Sequence, residues 1–279
     1  MIIRLIFLSF ILFLTSCNSI YIVKNRIKYA DHLVKEQNFK QEIIKTNDFA
    51  LFSYQKIINP KNKVLNIYIE GDGLAWENRY RLSRNPTPTD PIALKMALVD
   101  KAENIIYLAR PCQYVDFSLN KNCANQEYWS RARFSQKVID STNQAIDKIK
   151  IKYGFKNINL FGFSGGGAVA VLVASKRSDV KSIKTIAANL NHKMLMKMHK
   201  VSPLDQSLDA IDVAYKLSKI RQIHIAGKQD NTVYVRTIES FVNKVNKNSK
   251  DKIAYLKIIK DANHEYKKWP EIWSNIINK

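Results

Sequence analysis

Apolar runs and amphipathic stretches alternate along most of the chain. The apolar runs are rich in β-branched residues, and several are continuous, which is typical of strands buried on both faces of a parallel sheet. The predicted strands are 49–56, 64–69, 104–109, 157–161, 183–187, 222–226 and 254–259, and the predicted helices are 91–101, 131–153, 165–176, 234–246 and 270–278. This alternation predicts an α/β fold with a mostly parallel central sheet and helices on both faces.

The N-terminus has a different pattern. Arg4 precedes a run of about ten apolar residues, which is too short to span a bilayer, since a spanning helix needs about 20 residues. Leu14-Thr15-Ser16-Cys17 follows and resembles the lipobox of bacterial lipoproteins, in which the cysteine is lipidated and becomes the new N-terminus. We therefore expect residues 1–16 to be a signal peptide and Cys17 to carry a lipid anchor. An ordinary signal peptide with an incidental cysteine is the alternative.

Export and anchoring set expectations for the rest of the chain. We expect residues 17–45, which are polar, to be a tether and residues 46–279 to form one domain. Asn18 after the cysteine resembles an outer-membrane sorting pattern, which predicts a location in the bacterial cell envelope, on the outer membrane and facing the periplasm. Cys112 and Cys123 would meet an oxidising compartment there, so we expect a disulfide. Two separate buried thiols are the alternative.

The composition adds a strong positive charge. Of the 279 residues, 45 are Lys or Arg and 24 are Asp or Glu, giving a formal net charge of +21. These charges are spread along the chain and no nucleic-acid-binding motif accompanies them, so we expect no nucleic-acid partner. Attraction to an anionic membrane surface is compatible with the charge.

Glycine is the most informative residue type. The chain has 8 glycines, where average usage gives about 20. Seven of the 8 lie after three predicted strands, at 71 and 73, at 162 and 165–167, and at 227. In open α/β sheets, this edge of the sheet is where ligands bind.

Ser164 is the candidate nucleophile. It lies at the centre of Gly162-Phe163-Ser164-Gly165-Gly166, between a predicted strand and a helix of small residues. A nucleophile elbow requires this arrangement, because the serine has strained backbone geometry and larger neighbours would collide. A glycine-rich turn without chemistry is the alternative.

A serine nucleophile needs a base and an acid that orients the base. Of the five histidines, only His264 follows the last predicted strand and precedes the final helix. His32 lies in the predicted tether, His224 lies inside a strand, and His192 and His199 lie between two strands. Asp230, in the turn after strand 222–226, is the candidate acid, with a helix N-cap as its alternative role.

An acyl-transfer site also needs an oxyanion hole, which two backbone amides usually form. Gly165 supplies one candidate amide. The loop after strand 64–69 supplies the second, for which we favour Asp72 and keep Gly73 as the alternative. Asp72 has a further possible role, as a side chain that hydrogen-bonds behind the site. This chemistry needs no metal and no cofactor, and we expect neither.

The order of elbow, acid and histidine over residues 46–279 resembles the α/β-hydrolase superfamily. That resemblance implies an α/β-hydrolase fold with a small or absent lid, formed at most by residues 189–215. Several segments look like an uncharacterised group of exported bacterial hydrolase-like lipoproteins: Glu70-Gly71-Asp72-Gly73, Ala109-Arg110-Pro111-Cys112-Gln113-Tyr114, Tyr128-Trp129, Arg133-Phe134, Asn191-His192, Ser202-Pro203-Leu204 and Ser207-Leu208. The narrower resemblance implies the disulfide and adds His192 as a pocket residue.

The sequence therefore predicts a membrane-anchored serine hydrolase. We expect it to cleave an ester or thioester of a small-molecule or lipid-like acyl substrate through an acyl-enzyme. A serine peptidase or amidase is the enzymatic alternative. A non-catalytic envelope lipoprotein that retains the fold is the second alternative, and its expected mark, a lost triad residue, is not found.

Overall fold

The structure of the chain, a computed structural model, describes residues 23–278. Its ten strands, in chain order, are β1 (Lys40–Lys45), β2 (Ala50–Ile57), β3 (Val64–Ile69), β4 (Trp76–Asn78), β5 (Arg81–Leu82), β6 (Asn104–Leu108), β7 (Asn157–Phe163), β8 (Val180–Ile186), β9 (Arg221–Gly227) and β10 (Ala254–Ile259). Eight of these strands form one sheet in the order β1-β2-β6-β3-β7-β8-β9-β10. β4 and β5 form a separate antiparallel hairpin.

The central sheet is mostly parallel. β2 pairs antiparallel with β1 and with β6, and every other neighbouring pair is parallel. All five residues of β6 are buried, as are five of the six in β3. The prediction of strands buried on both faces is therefore confirmed at the centre of the sheet.

Helices cover both faces of the sheet. They are α1 (residues 23–34), α2 (Ile92–Leu98), α3 (Gln136–Tyr153), α4 (Gly165–Ala174), α5 (His192–His199), α6 (Val235–Lys247) and α7 (Trp269–Ile277). Apolar residues of α1, α2 and α7 share one core cluster with the sheet, and those of α3, α4 and α6 share the other. Three 3-10 helices complete the described chain, at Lys121–Ala124, Gln126–Trp129 and Ala210–Leu217.

The folded domain begins earlier than the expected boundary at residue 46. β1 pairs with β2 along its whole length, and the α1 residues Ala30 and Val34 are buried in the core. Most of the predicted tether thus belongs to the domain. The sequence obscured this because β1 is an edge strand whose side chains are mostly exposed or half-buried, so its pattern is polar.

Cys112 and Cys123 form a disulfide, with their Cα atoms 5.5 Å apart, which confirms that prediction. The predicted signal peptide and the predicted lipid attachment site, Cys17, lie outside the described residues. Between residues 23 and 278, no helix has the length and apolar character needed to cross a membrane.

Candidate active site

Ser164 lies in a sharp turn between β7 and α4. Its backbone has φ +51° and ψ −122°, a conformation that residues other than glycine rarely adopt. The Ser164 amide donates to the Ile186 carbonyl at 2.9 Å, which ties the turn to β8. A methyl group on Gly162 would lie 2.4 Å from the Gly166 carbonyl oxygen, so only glycine fits at Gly162. The turn thus has the geometry of a nucleophile elbow.

Ser164, His264 and Asp230 form one hydrogen-bonded chain. Ser164 Oγ donates to His264 Nε2 at 3.0 Å, and His264 Nδ1 donates to Asp230 Oδ2 at 2.8 Å. Asp230 is buried, and its Oδ1 accepts from the amides of Thr232 and Val233. These hydrogen bonds fix the carboxylate, which in turn orients the imidazole with Nε2 facing the serine. The structure thus brings together the three side chains that the sequence singled out.

Two arginines and one aspartate form a cluster beside the elbow, and we call Asp72, Arg110 and Arg133 the arginine cluster. Arg110 is buried, and Asp72 and Arg133 are half-buried. Arg110 Nη1 lies 3.2 Å from Asp72 Oδ1, and Arg133 Nη1 lies 2.8 Å from Asp72 Oδ2. Arg110 also donates to the Arg133 carbonyl oxygen, and Arg133 Nε donates to the Ser130 carbonyl oxygen at 2.7 Å. The Arg110 side chain is only 4% exposed. Each charged side chain therefore has a fixed orientation.

The cluster contacts the elbow through Asp72. A methyl group on Gly165 would lie 2.1 Å from Asp72 Oδ1, so the carboxylate packs directly against the first residue of α4. Burial opposes ionisation of this carboxyl, but the charges and hydrogen bonds of Arg133 and Arg110 outweigh burial and lower the pKa of Asp72. Asp72 is thus an anion between two cations, next to the proposed oxyanion site.

Glu70 is a buried acid directly after β3. Its Oε1 accepts from the Gly71 amide at 2.8 Å and from the Ala93 amide at 3.4 Å. Its Oε2 is buried without a hydrogen-bond partner in the described part of the chain. Burial raises the pKa of Glu70 to about 7, and the backbone hydrogen bonds from Gly71 and Ala93 only partly oppose that rise.

A cavity of about 490 Å³ opens beside Ser164. Its walls come from five parts of the chain and are formed by Asp72, Trp76, Arg79, Arg133, Ser164, Asn189, Leu195, Met196, His199, Val201, Asn231, Thr232 and Val233. A larger cavity of about 700 Å³ shares Trp76 as a lining residue, but none of Ser164, Asp230 and His264 lines it. The smaller cavity is therefore the candidate substrate site.

The segment expected to be a small lid contributes to this cavity. Residues 189–215 contain α5, which places Leu195, Met196 and His199 on the wall. The sequence did not single out the β4–β5 hairpin, which contributes Trp76 from a strand that is only three residues long. A two-residue or three-residue strand carries too little periodicity to be recognised.

His192 was expected in the pocket, but it does not line the cavity. It is buried at the start of α5, where its ring lies near Phe134 and its Nε2 lies 3.9 Å from Asp209 Oδ2. Burial lowers the pKa of His192. His199, about two turns later on α5, reaches the cavity instead, and its Nε2 lies within hydrogen-bond distance of the Thr232 carbonyl oxygen, at 2.9 Å.

The other histidines lie away from the cavity. His224 is buried in β9 and hydrogen-bonded to Thr185, and burial lowers its pKa to about 3. His32 is exposed on α1. Among residues 23–278, no three His, Cys, Asp or Glu side chains are grouped so that they could hold a metal ion.

Solved structures that superimpose on this chain include known hydrolases. An esterase from Pyrococcus furiosus superimposes with a TM-score of 0.59 at 14% identity, covering 89% of this chain and 90% of its own. An α/β serine hydrolase without a lid, from Xanthomonas campestris, gives 0.55 at 10% identity, covering 86% of this chain and 92% of its own. The chain has the α/β-hydrolase fold. The fold class predicted from the sequence is therefore confirmed.

One of the similar structures is a longer protein, and this chain matches only part of it. An acylaminoacyl peptidase from Pyrococcus horikoshii gives a TM-score of 0.62 at 13% identity, covering 89% of this chain and 42% of its own. No protein-family model matches the sequence, and no curated protein matches it. In all three structures, the similarity extends over nearly the whole described domain.

Proposed function

We propose that this protein is a serine hydrolase that cleaves an ester or thioester through an acyl-enzyme. The observation that carries the proposal is the continuous hydrogen-bonded chain from Ser164 Oγ through His264 to Asp230, with Ser164 in a strained elbow at the wall of a cavity. A core packing role would not require a serine in this backbone conformation, facing a histidine that a buried carboxylate orients.

The proposed reaction follows from the three side chains. Ser164 Oγ attacks the acyl carbon while His264 Nε2 takes its proton, and the imidazolium is stabilised by Asp230. His264 then gives that proton to the leaving group, which departs and leaves the acyl group on Ser164. Water, activated by the same imidazole, hydrolyses the acyl-enzyme and restores Ser164.

For the oxyanion hole, we propose the backbone amides of Gly165 and Asp72. Gly165 is the first residue of α4, so its amide is not used within the helix, and the helix dipole favours negative charge there. Asp72 lines the cavity, whereas Gly73 does not, which favours Asp72 over the alternative. The arginine cluster supports this role, because Arg110 and Arg133 neutralise the Asp72 carboxylate that would otherwise repel the oxyanion.

We propose an acyl ester or thioester as the substrate class and keep an amide or peptide as the alternative. Two of the similar structures, an esterase and an acylaminoacyl peptidase, carry one activity of each kind on this fold. The triad serves both reactions, because His264 protonates either leaving group. Comparing an ester and an anilide with the same acyl group would separate them.

We further propose that the domain is exported and anchored in the bacterial cell envelope by a lipid on Cys17. The Leu14-Thr15-Ser16-Cys17 sequence supports anchoring, and the Cys112–Cys123 disulfide supports folding in an oxidising compartment. With the full-length chain expressed in a bacterium, Cys17→Ser should release the protein from the membrane fraction or leave it unprocessed. Normal processing with unchanged membrane fractionation would contradict the proposal.

The catalytic proposal is tested with chromogenic esters of short acyl chains. The wild-type protein should hydrolyse them, and Ser164→Ala should lower kcat/KM to the background rate. Ser175→Ala, at the other end of α4, is the matched control and should keep the wild-type rate. A Ser164→Ala protein as active as the wild type would show that Ser164 is not the nucleophile.

A further inference from the structure

Arg133 is held rigidly at the cavity wall, with one end of its guanidinium unused. Its Nε donates to the Ser130 carbonyl oxygen and its Nη1 donates to Asp72, at 2.7 and 2.8 Å. Its Nη2 makes no hydrogen bond to any described residue, and the side chain lines the same cavity as Ser164. A guanidinium fixed in this way has already lost its rotamer freedom, so binding a further oxygen costs little conformational entropy.

The charge around Arg133 favours an anion. The single carboxylate of Asp72 faces two arginines, so the cluster keeps one positive charge beside the cavity. Arg79, on the β4–β5 hairpin, adds a second cation to the wall and makes no salt bridge among residues 23–278. Asp72 is the only acidic residue among those that line the cavity.

The cluster also places Arg133 near the nucleophile. Asp72 is bonded to Arg133 on one side and packs against Gly165, the residue after Ser164, on the other. An anionic group at Arg133 and a carbonyl at Ser164 would therefore occupy the same cavity.

We infer that the substrate carries an anionic group, a carboxylate or a phosphate, close to its reacting acyl carbon, and that Arg133 binds this group with help from Arg79. This inference rests on the proposed hydrolase function and deepens it by naming a substrate class. Arg133 is then a specificity-determining residue for acyl groups with a negative charge.

Two esters that differ only in that charge test the inference. Mono-4-nitrophenyl adipate and 4-nitrophenyl hexanoate share a six-carbon acyl chain and a leaving group, and only the adipate has a terminal carboxylate. The wild-type protein should give a kcat/KM at least about 10-fold higher for the adipate, because a charge-assisted hydrogen bond forms. Added salt should lower that ratio, since part of the attraction is screened.

Variants locate the effect at one side chain. Arg133→Gln should bring the adipate-to-hexanoate ratio close to one, and Arg133→Lys should restore part of it through the charge alone. The ratio is the readout, because loss of the Asp72 contact would slow both esters together. Arg131→Gln is the matched control, since Arg131 is exposed, pairs with Glu127 and does not line the cavity. It should keep the wild-type ratio.

A binding measurement separates this inference from the proposed reaction. Monomethyl adipate, titrated calorimetrically into the Ser164→Ala protein, should bind, and Arg133→Gln in that background should weaken binding at least about 10-fold. Active protein with equal kcat/KM for the two esters would overturn the inference and leave the hydrolase proposal intact. If neither ester is hydrolysed, the hydrolase proposal fails. In that case, Arg133-dependent binding supports the anion site, and absent binding overturns it.

Discussion

Two groups of residues meet at Ser164, the elbow and the arginine cluster, and they differ in how the chain forms them. The elbow, residues 162–167, is a continuous segment whose small residues let β7, the turn and α4 pack closely. The arginine cluster joins three loops. Asp72 lies after β3, Arg110 lies after β6, and Arg133 lies before α3. The elbow is uncharged and local in sequence, whereas the cluster is charged and assembled from three distant loops.

The difference separates two kinds of contribution. We expect the elbow and its hydrogen-bonded partners to determine the reaction rate, since they position the reacting atoms and contribute little charge pairing to stability. We expect the cluster to affect stability as well, because Arg110 is buried and depends on Asp72 for its counter-charge. The predictions below test this division, beginning with the largest expected effect.

Asp230→Asn should cost about 10⁴-fold in kcat. An asparagine keeps an acceptor for the Thr232 and Val233 amides, but its NH₂ group disfavours the tautomer in which His264 Nδ1 donates. Ester hydrolysis measures the rate, and urea unfolding measures the stability, which should change little. A loss in kcat smaller than 10-fold would show that Asp230 does not orient His264.

Asp72→Asn should lower the free energy of unfolding by about 3–5 kcal/mol, because it leaves the buried Arg110 without a counter-charge. Urea unfolding monitored by tryptophan fluorescence gives the value. The control is Asp205→Asn, which breaks the exposed pair with Arg131 and should cost less than about 1 kcal/mol. Equal losses in the two variants would contradict the division between a charged, stabilising cluster and an uncharged elbow.

Glu70 should make stability depend on pH. Its pKa is raised to about 7 in the folded protein, from 4.5, so the native state holds this proton more tightly than the unfolded state does. The contribution of Glu70 to stability is therefore present below pH 4.5 and is lost as pH rises through 7.

The Glu70→Gln variant lacks this titration and serves as the reference. Relative to this variant, the free energy of unfolding of the wild-type protein should fall by about 3 kcal/mol between pH 4.5 and 8. Urea unfolding of both proteins across this range provides the measurement. A stability difference that does not vary with pH would mean that Glu70 ionises normally in the native state.

The disulfide restrains the loop between Arg110 and Arg133. Replacing both Cys112 and Cys123 with serine should cost about 2–3 kcal/mol, the chain-entropy value for closing a loop of this length. Thermal unfolding compares the variant with the wild-type protein. The arginine cluster adjoins this loop, whereas the elbow does not. The fraction of the variant that is folded should therefore keep the Ser164–His264 hydrogen bond. A variant as stable as the wild type would show that the crosslink adds nothing.

The same comparison explains what the sequence could predict. The elbow was predictable because strand, glycines, serine and small-residue helix are contiguous, and each obeys a local rule. Asp230 and His264 were predictable because each follows a strand whose end must reach the same edge of the sheet. The strand bounds of β3 and β10 agree with the prediction at both ends.

The cluster and the cavity wall could not be derived in this way. Arg110 gives one signal, a charged residue two positions after the buried strand β6, but its partners follow only from tertiary packing. His199 lines the cavity and His192 does not, because the later part of α5 reaches the cavity, and the placement of α5 follows from tertiary packing. β1 was missed because an edge strand with exposed side chains lacks an apolar pattern.

A fluorophosphonate probe tests the central claim most directly, because it reacts covalently only with an activated serine. Intact mass and peptide mapping of the purified, folded protein should show one adduct, located on Ser164, and Ser164→Ala should show none. Absence of labelling in correctly folded wild-type protein, or labelling that persists in Ser164→Ala, would contradict the account.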